Sequence, residues 1–197
     1  MKMEDKRIEK EYWKPGNMLY PLPAVMVSLK GNPEPNILTI AWTGTCCTNP
    51  PMVYISVRPE RYSYQLLKQT GEFVINLTTK DLAFATDYCG VKSGKDTNKF
   101  KDLGLTPVAS RYVEAPSILE APVNMECRVK EILPLGSHHL FLAEVLGVTV
   151  DKRFLDEQGK FHLQAADLLA YSHGDYFALG EKIGKFGFSV KKTNKRK

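Results

Sequence analysis

A mainly β fold, an antiparallel barrel with short helical insertions, is what the sequence predicts, and three observations predict it. Apolar and polar residues alternate with period 2 in six segments bounded by Gly or Pro, the mark of half-buried strands. Helical signals are few and short. No strand-helix-strand rhythm repeats, so a parallel sheet is not expected.

The expected strands are Ala24 to Leu29, Ile37 to Thr43, Met52 to Val57, Phe73 to Leu77, Val123 to Ile132 and about His138 to Val150. In the fifth, Val123, Met125, Cys127 and Val129 share one face, while Asn124, Glu126, Arg128 and Lys130 give the strand a wet side. Gly136 and Ser137 suit a II′ hairpin turn into the last strand. Ser63 caps a predicted helix over Tyr64 to Thr70 that Gly71 closes, and Thr79 caps one over Lys80 to Tyr88 that Gly90 closes. A third short helix runs from about Asp96 to Leu103 and ends near Gly104.

Length and composition bound the answer. The 197 residues, with 43% hydrophobic and 25% charged side chains, suit one globular domain, with residues 1–14 as an N-terminal extension and 188–197 as a basic tail. Apolar runs stop far short of a membrane span, and the N-terminus lacks the apolar stretch of a secretory signal, so a cytoplasmic protein is expected. Lys191, Lys192, Lys195, Arg196 and Lys197 account for the whole net charge of +5, which leaves no basic stripe to predict a nucleic-acid partner. Cys46 and Cys47 are adjacent, and Cys89 and Cys127 are isolated, a poor disulfide framework with no zinc spacing.

Four segments can carry chemistry. Residues 36–51 run from a strand into a loop of small and hydroxyl residues, Thr43, Gly44, Thr45 and Thr48, then Pro50 and Pro51. Such a loop brings backbone amides against a flat polar ring, or is an ordinary surface turn. Arg58 and Arg61 stand just before the helix start at Ser63, a set of donors that suits a phosphate monoester. Between Cys89 and Phe100, Gly90 and Gly94 open a loop loaded with Lys92, Ser93, Lys95 and Lys99, whose spacing is not that of a P-loop. In the last hairpin Glu144 falls on a face with Leu140 and Leu142, and His138 lies at the turn. No nucleophile and base stand together, and no metal-binding spacing appears. Cys46 and Cys47 are read either as a redox-active pair or as small apolar filler.

Taken in order, the segments resemble the flavin reductase-like, FMN-binding split-barrel family, most closely its flavoredoxin and ferric-reductase-like branch. The resemblance rests on Asn-Ile-Leu-Thr-Ile-Ala-Trp at 36–42 followed by Pro-Pro, and on Arg-Tyr-Ser-Tyr at 61–64. Gly-Glu-Phe-Val-Ile-Asn-Leu at 71–77, Ser-Gly-Lys-Asp-Thr-Asn-Lys-Phe at 93–100 and Gly-Ser-His-His-Leu-Phe-Leu-Ala-Glu-Val at 136–145 complete it. It implies a six-stranded Greek-key split barrel that forms a homodimer, with FMN near the subunit interface and NADH or NADPH as electron donor. Under it, Ala41, Trp42, Thr43, Gly44, Thr45, Cys46 and Cys47 line the flavin ring. Arg58, Arg61, Ser63 and Tyr64 serve the phosphate; Ser93, Lys95 and Lys99 close over flavin or phosphate; and His138 lies near flavin and nicotinamide as the catalytic candidate. The family often has Gly-Asp-His where this chain has Gly136-Ser137-His138, so no acid is expected at that turn. The function implied is a NAD(P)H-dependent flavin or ferric reductase, with a flavoredoxin-type electron carrier lacking its own nicotinamide site as the alternative.

Overall fold

The computed structural model describes residues 8–190, so the basic run Lys191 to Lys197 lies outside the described residues. Its strands are β1 (Leu22–Pro23), β2 (Val25–Leu29), β3 (Asn36–Ile40), β4 (Thr43–Cys47), β5 (Met52–Val57) and β6 (Glu72–Leu77). They continue as β7 (Pro107–Val108), β8 (Ser117–Ile118), β9 (Val123–Pro134), β10 (His139–Val150), β11 (Leu169–Ser172) and β12 (Asp175–Ala178). Three α-helices lie among them: α1 (Tyr62–Thr70), α2 (Ala83–Val91) and α3 (Lys99–Leu103).

Seven strands form one antiparallel sheet in the order β3-β2-β6-β9-β10-β5-β4. β3 and β4 are its two edges, yet only Ala41 and Trp42 separate them in sequence. A flat sheet would hold those edges about 29 Å apart at about 4.8 Å per strand. Two linking residues cannot span that, so the sheet must curl until its edges nearly meet. The Ser56 amide donates to the Trp42 carbonyl at 2.9 Å and fastens the crossing. The predicted strand Ile37 to Thr43 is therefore broken in two, and the sheet holds seven strands where six were expected.

The curl explains the core. Val25, Val27, Leu38, Ile40, Ile55, Phe73, Ile75 and Phe141 point inward, and Tyr64 and Leu67 of α1 join them. On the outer face of β2 and β3, Met26 and Ile37 pack under Leu82, Ala85 and Cys89 and against Phe100 of α3. β2 is thus buried on both faces. β1, β11 and β12 make a small separate sheet beside the barrel.

Several local expectations change. Gly71 closes α1 in the left-handed conformation (φ 64°), as its missing Cβ permits, but the helix begins at Tyr62, and Ser63 makes no cap. Thr79 makes no cap bond either; its segment starts as a 3-10 turn over Lys80–Leu82 before α2. Gly90 lies inside α2 rather than closing it, and packs against Thr39 of β3. The third helix begins only at Lys99, capped by Asn98, which accepts from the Lys101 amide. The β9-β10 turn carries Gly136 at φ 84°, as a II′ turn requires, and closes with Leu135 N to His138 O at 2.9 Å.

The wet side of β9 is wet only at its far end. Glu126 is buried and accepts from the amides of Arg111 and Tyr112. Asn124 is buried too and donates to Asn76 Oδ1 and the Ile118 carbonyl. The segment 105–122 folds over this face and needs those polar partners for its own backbone. On β10, Glu144 stands half-buried and pairs with Lys130 at 3.0 Å, so its face is not wholly core.

Candidate functional site

Two adjoining recesses open where β3, the end of β5, α1 and α2 converge. They share Leu38, Arg58 and Arg61. The smaller, about 540 Å³, is lined by Arg58, Arg61, Tyr62 and Ser63 on one side, with Glu60 pairing to Arg58 at 3.4 Å, and by Lys92, Ser93, Gly94 and Lys99 on the other. The larger, about 750 Å³, is floored by Leu38 to Trp42 and by Ser56 and Val57. Its walls are Ser137 and His138 of the β9-β10 turn, Asp87 and Gly90 of α2, and Tyr171 and Tyr176 of the small sheet.

The smaller recess is built from polar groups that already hold each other. β5 ends in a turn, Arg61 N to Arg58 O at 3.1 Å, that presents both arginines and leads into α1. The first turn of α1 forms a wall, which sets a helix N-terminus beside the arginines and favours an anion there. Ser63 is buried, and its Oγ accepts from Asn36 Nδ2 at 2.7 Å. A Cβ on Gly94 would fall 2.0 Å from Asn36 Oδ1, so only glycine lets the loop close down on that pair. Arg61 Nη1 donates to the Gly90 carbonyl at 3.1 Å.

Lys99 is the unexpected member. Its ammonium is buried and donates to the carbonyls of Ile37 at 2.6 Å and Cys89 at 2.9 Å, tying β3 to α2. Burial lowers its pKa to about 8, Cys89 opposes this, and Arg61 adds to it. Cys89 itself is pushed up to about 11 by burial and stays a thiol. In an antiparallel edge strand, alternate residues turn both backbone groups outward. Because the Ile37 carbonyl faces outward to Lys99, that of Thr39 faces outward too, along the floor of the larger recess, whereas Ala41, just past the strand, accepts from the Thr43 amide at 3.0 Å.

That larger recess is aromatic. Trp42 and His138 stack with ring centroids 6.0 Å apart and planes 20° apart. Burial and then Arg58 hold the His138 imidazole below its ordinary pKa, with Glu60 opposing. Tyr171 and Tyr176 meet edge to face at 5.7 Å.

Of the residues singled out in the sequence, Ala41, Trp42, Arg58, Arg61, Ser63, Ser93, Lys99 and His138 line one or both recesses. Tyr64 does not. It is buried in the barrel, with its hydroxyl 2.7 Å from His139 Nδ1, because the first helical turn points it inward. Lys95 is exposed outside the lining, and Lys92 stands at the recess in its place. The expected loop 43–47 is the edge strand β4, with Thr43 buried and bonded to the Tyr54 carbonyl. Gly44, Thr45, Cys46 and Cys47 lie outside both recesses, and Cys46 is exposed rather than apolar filler. Asp87, Tyr171 and Tyr176 carried no sequence signal, since α2 and the small sheet meet only in the fold.

Residues 18–180 match the family described as flavin reductase like domain. The chain belongs to this family. It is 36% identical over 138 residues to an uncharacterised protein of Archaeoglobus fulgidus, covering 70% of this chain and 77% of that one. Among solved structures it is similar to flavoredoxin of Desulfovibrio vulgaris (Miyazaki F), 30% identical with a TM-score of 0.85, over 93% of this chain and 100% of that one. Flavoredoxin from Methanosarcina acetivorans is similar too, 26% identical with a TM-score of 0.84, over the same shares. The mainly β split barrel of this flavin reductase-like chain is therefore the fold that the sequence predicted. Among the described residues, no helix is long and apolar enough to cross a membrane.

Proposed function

We propose that this flavin reductase-like protein binds FMN and serves as a redox protein through it. The observation that carries the reading is the pairing of the two recesses: a basic one with the donors a phosphate needs, joined through Arg58 and Arg61 to an aromatic one with an open strand edge. The residues fit the group. Two guanidiniums, the Ser93 hydroxyl and the first turn of α1 match a phosphate dianion. The outward peptide groups of Thr39 match a flat ring with both donors and acceptors. When bound, FMN supplies a ring that accepts a hydride or single electrons.

The chain's own part is to hold and shield. Arg58 and Arg61 neutralise the phosphate, and Lys99 fixes the β3 edge so that its amides are in place beforehand. Trp42 and His138 cover one side of the larger recess and exclude water there. His138 is neutral at physiological pH, so it offers a hydrogen bond without a competing charge. Thr45, Cys46 and Cys47 on the edge strand contribute only in a homodimer, where that edge meets a second copy. Four unpaired cysteines fit a cytoplasmic setting.

NADH or NADPH is the electron donor on this reading. Likeness to two flavoredoxins favours a second reading, a carrier that takes electrons from another protein. Anaerobic mixing decides. The purified protein should take up FMN and turn yellow, and NADH or NADPH should then bleach the flavin band. An inert band that dithionite still bleaches selects the carrier, and failure to retain FMN removes both readings.

A further inference from the structure

The larger recess carries one charged group to which FMN binding gives no task. Asp87 lies on α2 at the recess wall, and Tyr176 of β12 lines the same wall. Burial first, and then the neighbouring Asp87 charge, raise the Tyr176 phenol to about 12, so it remains a hydrogen-bond donor throughout the physiological range. Tyr171 packs edge to face on Tyr176. The recess thus has an aromatic wall at Trp42 and His138 and a second at the two tyrosines, with a carboxylate at the second.

The volumes leave room for two reactants. The recesses, about 540 and 750 Å³, each fall within the range of about 300 to 1,000 Å³ that holds a drug-sized ligand. The charges facing the larger recess are Arg58, Arg61, His138 and Asp87. A phosphate monoester carries close to two negative charges at neutral pH, and with Glu60, which pairs with Arg58 at 3.4 Å, it meets Arg58, Arg61 and the lysines of the smaller recess. His138 is held neutral. Asp87 is the one carboxylate among the residues that line the larger recess.

We propose that Asp87, which lines the larger recess together with Tyr176, sets the charge preference of the second reactant: a planar ring that is neutral or cationic enters, and an anionic ring of the same outline is disfavoured. This rests on the FMN reading. Asp87 is exposed to solvent, so the preference is moderate, about tenfold between a cation and an anion at low salt, since the two differ by two unit charges.

Three pyridines of one outline test it on the FMN-loaded protein: 1-methylnicotinamide as the cation, nicotinamide as the neutral ring and nicotinate as the anion. Dissociation constants are read from perturbation of the flavin absorption band and, independently, from ligand-observed NMR. The wild type should hold the cation about tenfold more tightly than the anion, and about 0.5 M salt should narrow the gap. Asp87→Asn should bring the three within about twofold of one another, and Tyr176→Phe should keep the order with a smaller spread. A ranking identical in wild type and Asp87→Asn, or one that favours the anion, overturns the proposal. Colour in the same samples reports FMN. If the wild type fails to retain it, the FMN reading falls alone, and the same titration with inorganic phosphate on the arginines decides the role of Asp87.

Discussion

The two recesses share Leu38, Arg58 and Arg61, yet they are made in opposite ways. The smaller is finished by the chain itself: Ser63 is held by Asn36, Gly94 closes on that pair, and Lys99 is spent on two carbonyls. The larger is walled by rings and by a turn, Trp42, His138, Tyr171 and Tyr176, with the strand edge left open. Buried polar networks fix geometry because each unmade bond is costly. Aromatic walls add contact area without fixing one partner. On the proposed FMN reading the first recess retains the anion and the second chooses the ring, a division that can be broken at defined residues.

The largest effect is expected at Lys99. Lys99→Met keeps most of the stem but leaves the carbonyls of Ile37 and Cys89 unpaired, at a cost of about 2 to 3 kcal/mol in stability. Urea denaturation with an unchanged slope would measure it. The pH dependence carries a sign. The amine titrates at about 8 when folded, below its ordinary value, so between pH 8 and about 10.5 the unfolded chain binds more protons. Wild-type stability should therefore rise with pH through that window relative to Lys99→Met. A difference between the two that does not change with pH would show that the ammonium is not held by burial.

Next comes the division between the recesses. Arg61→Ala removes a charged donor and should weaken FMN by about 30-fold, while riboflavin, which lacks the phosphate, changes by less than about threefold. Trp42→Ala removes a ring surface and should weaken FMN and riboflavin alike, by about tenfold. Quenching of flavin fluorescence measures all four. If Arg61→Ala weakened riboflavin as much as FMN, the assignment of one recess to phosphate and the other to ring would fail.

The sequence made the frame legible because local patterns carried it. Met52–Val57 stands where alternation placed it, and Gly71 and Gly136 hold the positive φ that their positions required. What stayed hidden depended on closure. β4 is rich in small residues and read as a loop; only as the far edge of a curled sheet does it pair with β5. Asn124 and Glu126 read as solvated until the segment 105–122 covered them. Arg58 and Arg61 were legible as paired cations beside a helix start, and both line the recesses, although Ser63, read as the helix cap, is bonded to Asn36 instead. Lys99 read as one loop lysine among several, because nothing nearby in sequence reveals that Ile37 and Cys89 meet it. Asp87 on α2 is far in sequence from Tyr171 on β11 and Tyr176 on β12, and the three elements have no pattern to share.

The smallest effect lies at the junction of the two regions. His138 is held below its ordinary pKa by burial against Trp42 and then by the charge of Arg58, so its titration reports on both recesses at once. Its NMR midpoint, assigned by difference with His138→Gln, should lie below 6.5. Because the folded value is depressed, protonation is resisted, and any stability that His138 contributes is lost as pH falls through that midpoint. Arg58→Gln should raise the midpoint by removing a like charge, as should inorganic phosphate in the smaller recess. Trp42→Ala should raise it further, since burial is the larger cause. If Arg58→Gln moved the midpoint and Trp42→Ala did not, His138 would belong electrically to the anion recess, and the aromatic wall would lose its second ring.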